Sequence, residues 1–401
     1  NMSKLFAVLV VLLVVLGGVS MVAAQGATDL TFWTFVDAHA AYWQSAADAW
    51  NAENPDRQIN LMPTVTPWAA MHDNLLLALQ SGSGAPDMVD VELTRFPTFL
   101  RGDIHFLDIT DLVNEYQDNL VASRLIYQWQ GVQYAVDYHI GTVLMFYNKE
   151  VMDAAGVDID SIKTWDDYIA AGQQVTQGDV WMTALETNGC QQGHTLMLMN
   201  GGGTYDVDGN LIIDSPQNAE ALQFMADLKL KYGIAEDAPG GGVQQPDSYT
   251  ALTDGKIASI FMPEWYLQRF RDLLPDLSGK IYVRPMPVWE GKSGTFASTM
   301  SGGTGTAITD QIDPAKVQLA KDFLVYAKMT HQAGVNIWQQ LGFDPIIKDV
   351  YDDPVVTEPL PYFGNENVFD VFKGMQSNLA PEYLGPDYAD IWNIMSSNVC
   401  Y

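Results

Sequence analysis

Acidic and aromatic side chains follow several predicted strands at the points where these strands end. They are Trp33 and Asp37 around the end of the segment 30–35, Glu92 after 88–91, Asp137 and His139 at the end of 132–137, and Trp265 after 257–262. In open α/β sheets, ligands bind outside the carboxyl ends of the strands. We therefore expect these side chains to face a ligand.

This combination of side chains is typical of a sugar site. The C–H face of a sugar ring packs on an aromatic ring, while carboxylates accept strong hydrogen bonds from the hydroxyl groups. Trp33 and Trp338 fit a core role equally well, and His139 fits a hydrogen-bonded hinge equally well. Glu92 and Asp137 are stronger candidates, because a lone acid after apolar strand residues is poorly explained as part of a solvated face.

The sequence shows no spacing typical of catalysis or metal binding. The six histidines form no HxxxH or HExxH pattern, and neither a GxSxG elbow nor a phosphate loop is present. We predict no catalytic residue, no metal and no cofactor. Paired acids for glycoside hydrolysis remain an alternative, because the 49 acidic residues offer many pairs. Whether Cys190 and Cys400 form a disulfide is left open by the sequence.

Length and charge restrict the class of protein. The chain has 401 residues, of which 48% are hydrophobic and 17% charged, as in a globular protein with one large or two medium domains. The 49 acidic and 20 basic residues give a net charge of −29. Such a surface repels nucleic-acid phosphates and anionic lipids, so we expect neither as a partner.

Residues 1–24 have the features of a cleavable signal peptide. An apolar run follows Lys4, two glycines interrupt it, and small residues precede the expected cleavage after Ala24. No cysteine lies near this position, which argues against a lipoprotein anchor. We expect a periplasmic or extracellular mature protein. An uncleaved anchor is the alternative, because the segment 5–24 is just long enough to span a bilayer.

Strand-like and helix-like segments alternate along the mature chain, which predicts an α/β fold. The β-α-β-α-β run at 30–91 predicts one doubly wound lobe. A second set of segments begins after it, with a strand at 143–147 and a capping box from Thr164 to Asp167.

Motifs in these segments resemble those of the extracellular solute-binding proteins that serve sugar ABC importers, most closely the arabinose, arabino-oligosaccharide or lactose branch. The motifs are LTFWTFVDAH at 30–39, MHDNLLLALQSG at 71–82, APD at 85–87, Glu92, RF at 95–96, FLRGD at 99–103, FYNKE at 146–150, KTWDDY at 163–168, PEW at 263–265, SGG at 301–303, VYDDP at 350–354 and YFG at 362–364. Their series, in family order through nearly the whole mature chain, is specific for the family.

The resemblance implies a two-lobed periplasmic-binding-protein fold of type II, with three interlobe crossovers and a ligand cleft between the lobes. It implies lobe 1 at 28–138 plus 300–342, lobe 2 at 139–299 plus 343–401, and crossings near 137–141, 300–303 and 343–348. One departure is Asp344, where the family has a neutral residue before the proline. It either adds a ligand contact or starts a turn. A further C-terminal helix is usual in the family, which leads us to expect a truncated chain.

The resemblance also implies which residues bind the ligand and what role each of them has. The ligand-binding residues are Trp33, Asp37, Glu92, Asp137, His139, Trp265, Gly303 and Trp338. Trp265 is the implied stacking platform. Glu92 and Asp137 accept hydrogen bonds from sugar hydroxyl groups, and the Gly303 amide donates a hydrogen bond to the sugar.

The implied function is capture of a sugar by lobe closure and delivery to an ABC permease, by a monomer without catalysis. The alternatives are the same fold binding a polyol or another oligosaccharide, and a glycoside hydrolase.

Overall fold

The computed structural model describes residues 26–121 and 126–400 as a mixed α/β protein, and the predicted signal peptide lies outside these residues. The β-strands are β1 Thr28–Thr34, β2 Ile59–Val65, β3 Met88–Glu92, β4 Gln128–Trp129, β5 Val132–Gln133, β6 Ala135–Asp137, β7 Val143–Asn148, β8 Thr183–Leu185, β9 Ala235–Asp237, β10 Ser259–Pro263, β11 Ile281–Arg284, β12 Ser298–Thr299, β13 Thr304–Ile308 and β14 Leu379–Ala380. The α-helices are α1 Asp37–Glu53, α2 Trp68–Ser81, α3 Thr110–Asn114, α4 Lys149–Ala154, α5 Trp165–Val175, α6 Gln191–Met199, α7 Pro216–Leu230, α8 Pro246–Thr253, α9 Tyr266–Leu273, α10 Val317–Lys328, α11 His331–Leu341, α12 Val368–Met375 and α13 Tyr388–Asn398.

The larger sheet has five strands in the order β2-β1-β3-β13-β6. Strand β1 pairs in parallel with β2 and β3, as predicted for a doubly wound run. Strand β13 comes from a distant part of the chain and pairs antiparallel with both β3 and β6. On one face of this sheet, Phe32 of β1 packs against Trp43 of α1, with ring centroids 5.3 Å apart.

The smaller sheet has the order β10-β7-β11, with antiparallel pairs. Helix α5 packs in its core through the buried Trp165, which contacts Phe224 of α7 edge-on. The predicted capping box that begins this helix is confirmed: the Thr164 hydroxyl accepts from the Asp167 amide, and the Asp167 carboxylate accepts from the Thr164 amide.

Three segments run side by side between the two sheets, and we call them the crossing segments. They are residues 137–142, 300–304 and 343–347. The Ser301 amide donates to the Gly141 carbonyl at 2.9 Å, and the Ile140 amide donates to the Asp344 carbonyl at 2.9 Å. The buried Asp344 carboxylate also accepts from the amides of Ile140 and Gly141 and from the Thr142 hydroxyl, at 3.2, 3.1 and 2.6 Å. Asp344 therefore holds two crossing segments together.

A disulfide joins two positions that are 210 residues apart in the sequence. Cys190 directly precedes α6, and Cys400 follows α13. Both residues are buried. The disulfide thus connects the end of the C-terminal helix to the start of α6.

Candidate functional site

A cavity of about 1110 Å³ lies between the ends of the two sheets. Glu92 at the end of β3 and Trp265 after β10 both line it, so both sheets contribute to its wall. Small-molecule cavities usually have volumes of roughly 300 to 1,000 Å³, and this one is therefore large enough for a ligand of more than one ring.

Four of the eight predicted site residues line this cavity together: Glu92, His139, Trp265 and Gly303. They come from four separate parts of the chain, namely the end of β3, two crossing segments and the turn after β10. The structure thus brings half of the predicted set to one place.

Two predicted residues near the end of β1 lie outside the wall of the cavity. Trp33 is half-buried and packs against an apolar cluster that includes the buried Val89 of β3. Asp37 is exposed in the first turn of α1. Their neighbours Phe35, Val36, Ala38 and His39 line the cavity instead.

Asp137 and Trp338 are buried away from the large cavity. The Asp137 carboxylate accepts hydrogen bonds from the amides of Tyr138 and Thr304, at 2.8 and 3.3 Å, and so connects two crossing segments. Trp338 packs edge-to-face against Phe369 in the core, and its ring lines a second cavity of about 430 Å³.

Glu92 is the acid at the cavity wall whose ionisation is most perturbed. Its carboxylate accepts hydrogen bonds from the amide and the hydroxyl of Thr94. Burial raises the pKa of Glu92 to about 7, the bonds from Thr94 oppose this rise, and the charges of Glu382 and Asp137 add to it. Near neutral pH this carboxyl therefore exchanges between a form that can donate and a form that only accepts.

Trp265 presents a half-buried indole ring to the cavity. Its Nε1 donates to the Ser301 carbonyl at 3.3 Å, and the Arg269 guanidinium lies 5.6 Å from the ring centroid. Gly302 lies against the indole, where a Cβ would approach Nε1 to 3.3 Å, and its φ of 70° favours glycine. The SGG sequence therefore allows the crossing segment to pass close to this ring.

His139 lies in a crossing segment and is held from two sides. Its ring stacks on Phe343 of another crossing segment, with centroids 4.3 Å apart and planes inclined by 21°. Its Nδ1 forms a hydrogen bond with the buried Glu264. Both predicted roles of His139, as a cavity residue and as a hydrogen-bonded hinge residue, are compatible with this position.

Several aromatic residues line the cavity that the sequence analysis did not select. Phe35, Trp68, Phe343 and Trp392 are the additional aromatic rings. Trp68 begins α2 after Pro67 and is 40% exposed. A tryptophan at the start of a helix, directly after a proline, could therefore have been selected from the sequence as a candidate for ligand contact. Trp392 is on α13 and had no such signal, because its place depends on long-range packing such as its contact with the His194 ring.

A buried polar network supports the cavity from the larger sheet. Asp90 accepts hydrogen bonds from Thr34, Thr306 and Tyr138 at 2.9, 2.6 and 2.9 Å. Nδ1 of His39, which lines the cavity, lies 3.0 Å from the same carboxylate. Hydrogen bonds of this kind compensate for the cost of burying a carboxylate and fix the orientation of the histidine ring.

One cluster has the donor types of a metal site. Ligand atoms of His139, Glu264 and Asp344 all lie within 4.8 Å of one another. His139 and Glu264 bond to each other, and Asp344 accepts three hydrogen bonds from a crossing segment. The arrangement is therefore better explained as a set of hydrogen bonds that connects the crossing segments than as a set of ligands directed at one ion.

Comparison with known proteins identifies the family. The model of the bacterial extracellular solute-binding proteins matches residues 36–328. This chain belongs to that family. The family predicted from the sequence motifs is thereby confirmed.

Two relatives share the sequence over nearly the whole chain. The arabinooligosaccharide-binding protein of Halalkalibacterium halodurans is 43% identical over 380 residues, which cover 94% of this chain and 84% of that protein. The arabinooligosaccharide-binding protein of Bacillus subtilis is 38% identical over 412 residues, which cover 100% and 94%. These names agree with the predicted branch.

Solved structures show the fold. The galacto-N-biose-/lacto-N-biose I-binding protein of a Bifidobacterium longum ABC transporter has a TM-score of 0.75 at 18% identity, covering 94% of this chain and 92% of that one. The binding protein of B. animalis subsp. lactis Bl-04 in complex with beta-1,6-galactobiose has a TM-score of 0.73 at 22% identity, covering 94% and 92%. The predicted two-lobed α/β fold is confirmed.

Among residues 26–121 and 126–400, no helix combines the length and the apolar character needed to cross a bilayer.

Proposed function

We propose that this protein captures arabino-oligosaccharides, or closely related sugars, outside the cytoplasm and delivers them to an ABC permease. The observation that supports this most is the wall of the large cavity, where tryptophan rings and the Glu92 carboxylate come from both sheets. Rings bind the apolar face of a sugar, and the carboxylate binds its hydroxyl groups. The names of the two relatives described above support the same ligand class.

The proposed mechanism is binding without chemistry. The lobes are residues 28–138 plus 300–342 and residues 139–299 plus 343–401, as the resemblance implies. A sugar held between Glu92 of one lobe and Trp265 of the other binds the closed state better than the open state, and this difference shifts the population toward closure. The closed form is then the one that a permease recognises.

Calorimetric titration with L-arabinose, arabinotriose and lactose tests the proposal. We expect saturable binding of at least one of them with no change in its chain length. Trp265→Ala should weaken binding at least about tenfold, since an aromatic contact beyond its area burial contributes about 0.5 to 1.5 kcal/mol and the lost area adds to it.

The matched control is Trp129→Ala, which removes a tryptophan that is also half-buried but does not line the large cavity. It should leave the affinity unchanged. Binding of a polyol in place of these sugars would move the protein to another ligand class, and cleavage of arabinotriose would favour the glycoside hydrolase alternative.

A further inference from the structure

The C-terminal helix α13 forms one wall of the large cavity. Ala389, Asp390, Trp392, Asn393 and Ser396 line the cavity from it. Their spacing of three and four residues places them on one stripe of the helix. A neighbouring stripe, with the buried Tyr388 and Met395, packs on the protein core. The helix therefore connects the core directly to the ligand space.

Besides the disulfide, this helix is held by the packing of Tyr388, Met395 and the half-buried Ile391 and by the hydrogen bond that the Tyr388 hydroxyl donates to Glu382. It has 11 residues, and no side chain caps its N-terminus. Helices shorter than about 12 residues are marginal in water without tertiary packing. Tyr388 and Met395 are its buried residues, while Ile394 and Val399 remain 58% and 47% exposed.

Ion pairs with Arg101 add a second attachment at the start of the helix. The guanidinium lies 2.5 Å from the Asp390 carboxylate and 3.1 Å from that of Asp387. All three side chains are largely exposed, and such pairs contribute about 0 to 1 kcal/mol each. The covalent bond from Cys400 to Cys190 therefore constrains the helix more strongly than these ion pairs do.

The disulfide and the cavity are linked through α6. Cys190 directly precedes this helix, and its first residue, Gln191, lines the cavity and donates to the Ser301 hydroxyl at 3.2 Å. One turn further along, the His194 ring contacts Trp392 edge-on, with centroids 5.2 Å apart. Fixing α13 against α6 thus fixes the Trp392 ring at the cavity.

We propose that the Cys190–Cys400 disulfide is a positioning element for a second sugar subsite, at which Trp392 and Asn393 of α13 contact a sugar unit other than the one on Trp265. This inference rests on the proposed function and adds to it a determinant of ligand length. A monosaccharide occupies one ring platform, whereas an oligosaccharide uses both. The disulfide therefore sets the affinity for the longer ligand and has little effect on the affinity for the shorter one.

The experiment compares the intact protein with Cys190→Ala/Cys400→Ala, with arabinotriose and L-arabinose as the probes. We expect the double variant to bind arabinotriose about three- to tenfold more weakly, which is the effect of one aromatic contact, and L-arabinose within about twofold of the intact protein. Trp392→Ala keeps the disulfide and should show the same loss. It also serves as the test if the double variant does not fold.

Hydrogen exchange gives a readout that a purely structural role would not produce. In the intact protein, arabinotriose should slow amide exchange in 388–398, and L-arabinose should not. Arabinotriose affinity that stays unchanged in either folded variant would overturn the inference, even if the double variant melts at a lower temperature. Failure of the intact protein to bind either sugar would instead count against the proposed function.

Discussion

At the scale of single residues, burial of Glu92 couples the protein to pH. The ordinary pKa of this carboxyl is 4.5, and in the folded protein it is about 7. Between these values the folded state holds a proton that the unfolded state has released. The stabilising contribution is therefore complete below pH 4.5 and is lost as the pH rises through 7.

Glu92→Gln removes this titration and keeps a hydrogen-bond acceptor for Thr94. From pH 5 to pH 8, the free energy of unfolding of the natural protein should fall relative to that of the variant by up to about 3 kcal/mol, because a difference of one in pKa corresponds to about 1.4 kcal/mol. Urea unfolding at several pH values measures this difference. Parallel stability curves for the two proteins would contradict the prediction.

Sequence patterns identified those residues of the cavity wall that directly follow a predicted strand. Glu92 and Trp265 follow strands, and the ends of strands in such sheets face the ligand space. The same rule does not distinguish Asp137, whose carboxylate turns to backbone amides, from an acid that faces a ligand. The orientation of Asp137 depends on a neighbouring segment 167 residues away, which no local pattern contains.

At the scale of elements, the crossing segments depend on one buried carboxylate. The Asp344 carboxylate accepts hydrogen bonds from Ile140, Gly141 and Thr142. Its removal takes this acceptor from the Gly141 amide and the Thr142 hydroxyl, while the Ile140 amide keeps the Asp344 carbonyl. Each unsatisfied donor costs about 1 to 3 kcal/mol. Burial raises the pKa of Asp344 well above its ordinary range, with the nearby Glu264 adding to the effect.

We expect Asp344→Ala to lower the free energy of unfolding by about 3 kcal/mol and to weaken ligand binding. Chemical denaturation and calorimetric titration measure the two effects. The control is Asp349→Ala, five residues further along, where an exposed carboxylate pairs with the exposed His331 and contributes about 1 kcal/mol or less. Equal effects of the two substitutions would count against the role of Asp344.

The helices and strands were largely predictable from the sequence, but which of them pack against one another was not. The alternating segments and the capping box at Thr164 indicated the α/β class and the start of α5 correctly. The contribution of α13 to the cavity was not foreseen, because it depends on Cys400 meeting Cys190 across 210 residues. Such long-range partners are set by the whole fold rather than by hydrophobic periodicity.

At the scale of the whole molecule, Arg101 connects the segment that follows β3 of the larger sheet to the start of α13. Its pairs with Asp387 and Asp390 join parts of the chain that are 286 and 289 residues apart. If ligand binding brings these two sides together, the pairs favour the bound state. Exposed pairs are screened by salt, so this effect should depend on ionic strength.

Arg101→Gln should weaken sugar affinity by about two- to fivefold in 50 mM NaCl, and the difference should disappear in 500 mM NaCl. Arg57→Gln is the control, because Arg57 pairs with Asp322 at 2.5 Å in an exposed position on the larger-sheet side. Calorimetric titration at both salt concentrations gives the four affinities. A loss that persists at high salt would show that Arg101 acts by another route than charge.

The position of β13 in the larger sheet has a consequence for the order of folding. This strand, at Thr304–Ile308, lies between β3 and β6, whose residues occur much earlier in the chain. A chain made from its N-terminus therefore contains both neighbours for well over a hundred residues before the strand that joins them exists. The long-range pairing makes closure of this sheet a slow and late event. The larger sheet is thus completed only after all three strands of the smaller sheet have been synthesised.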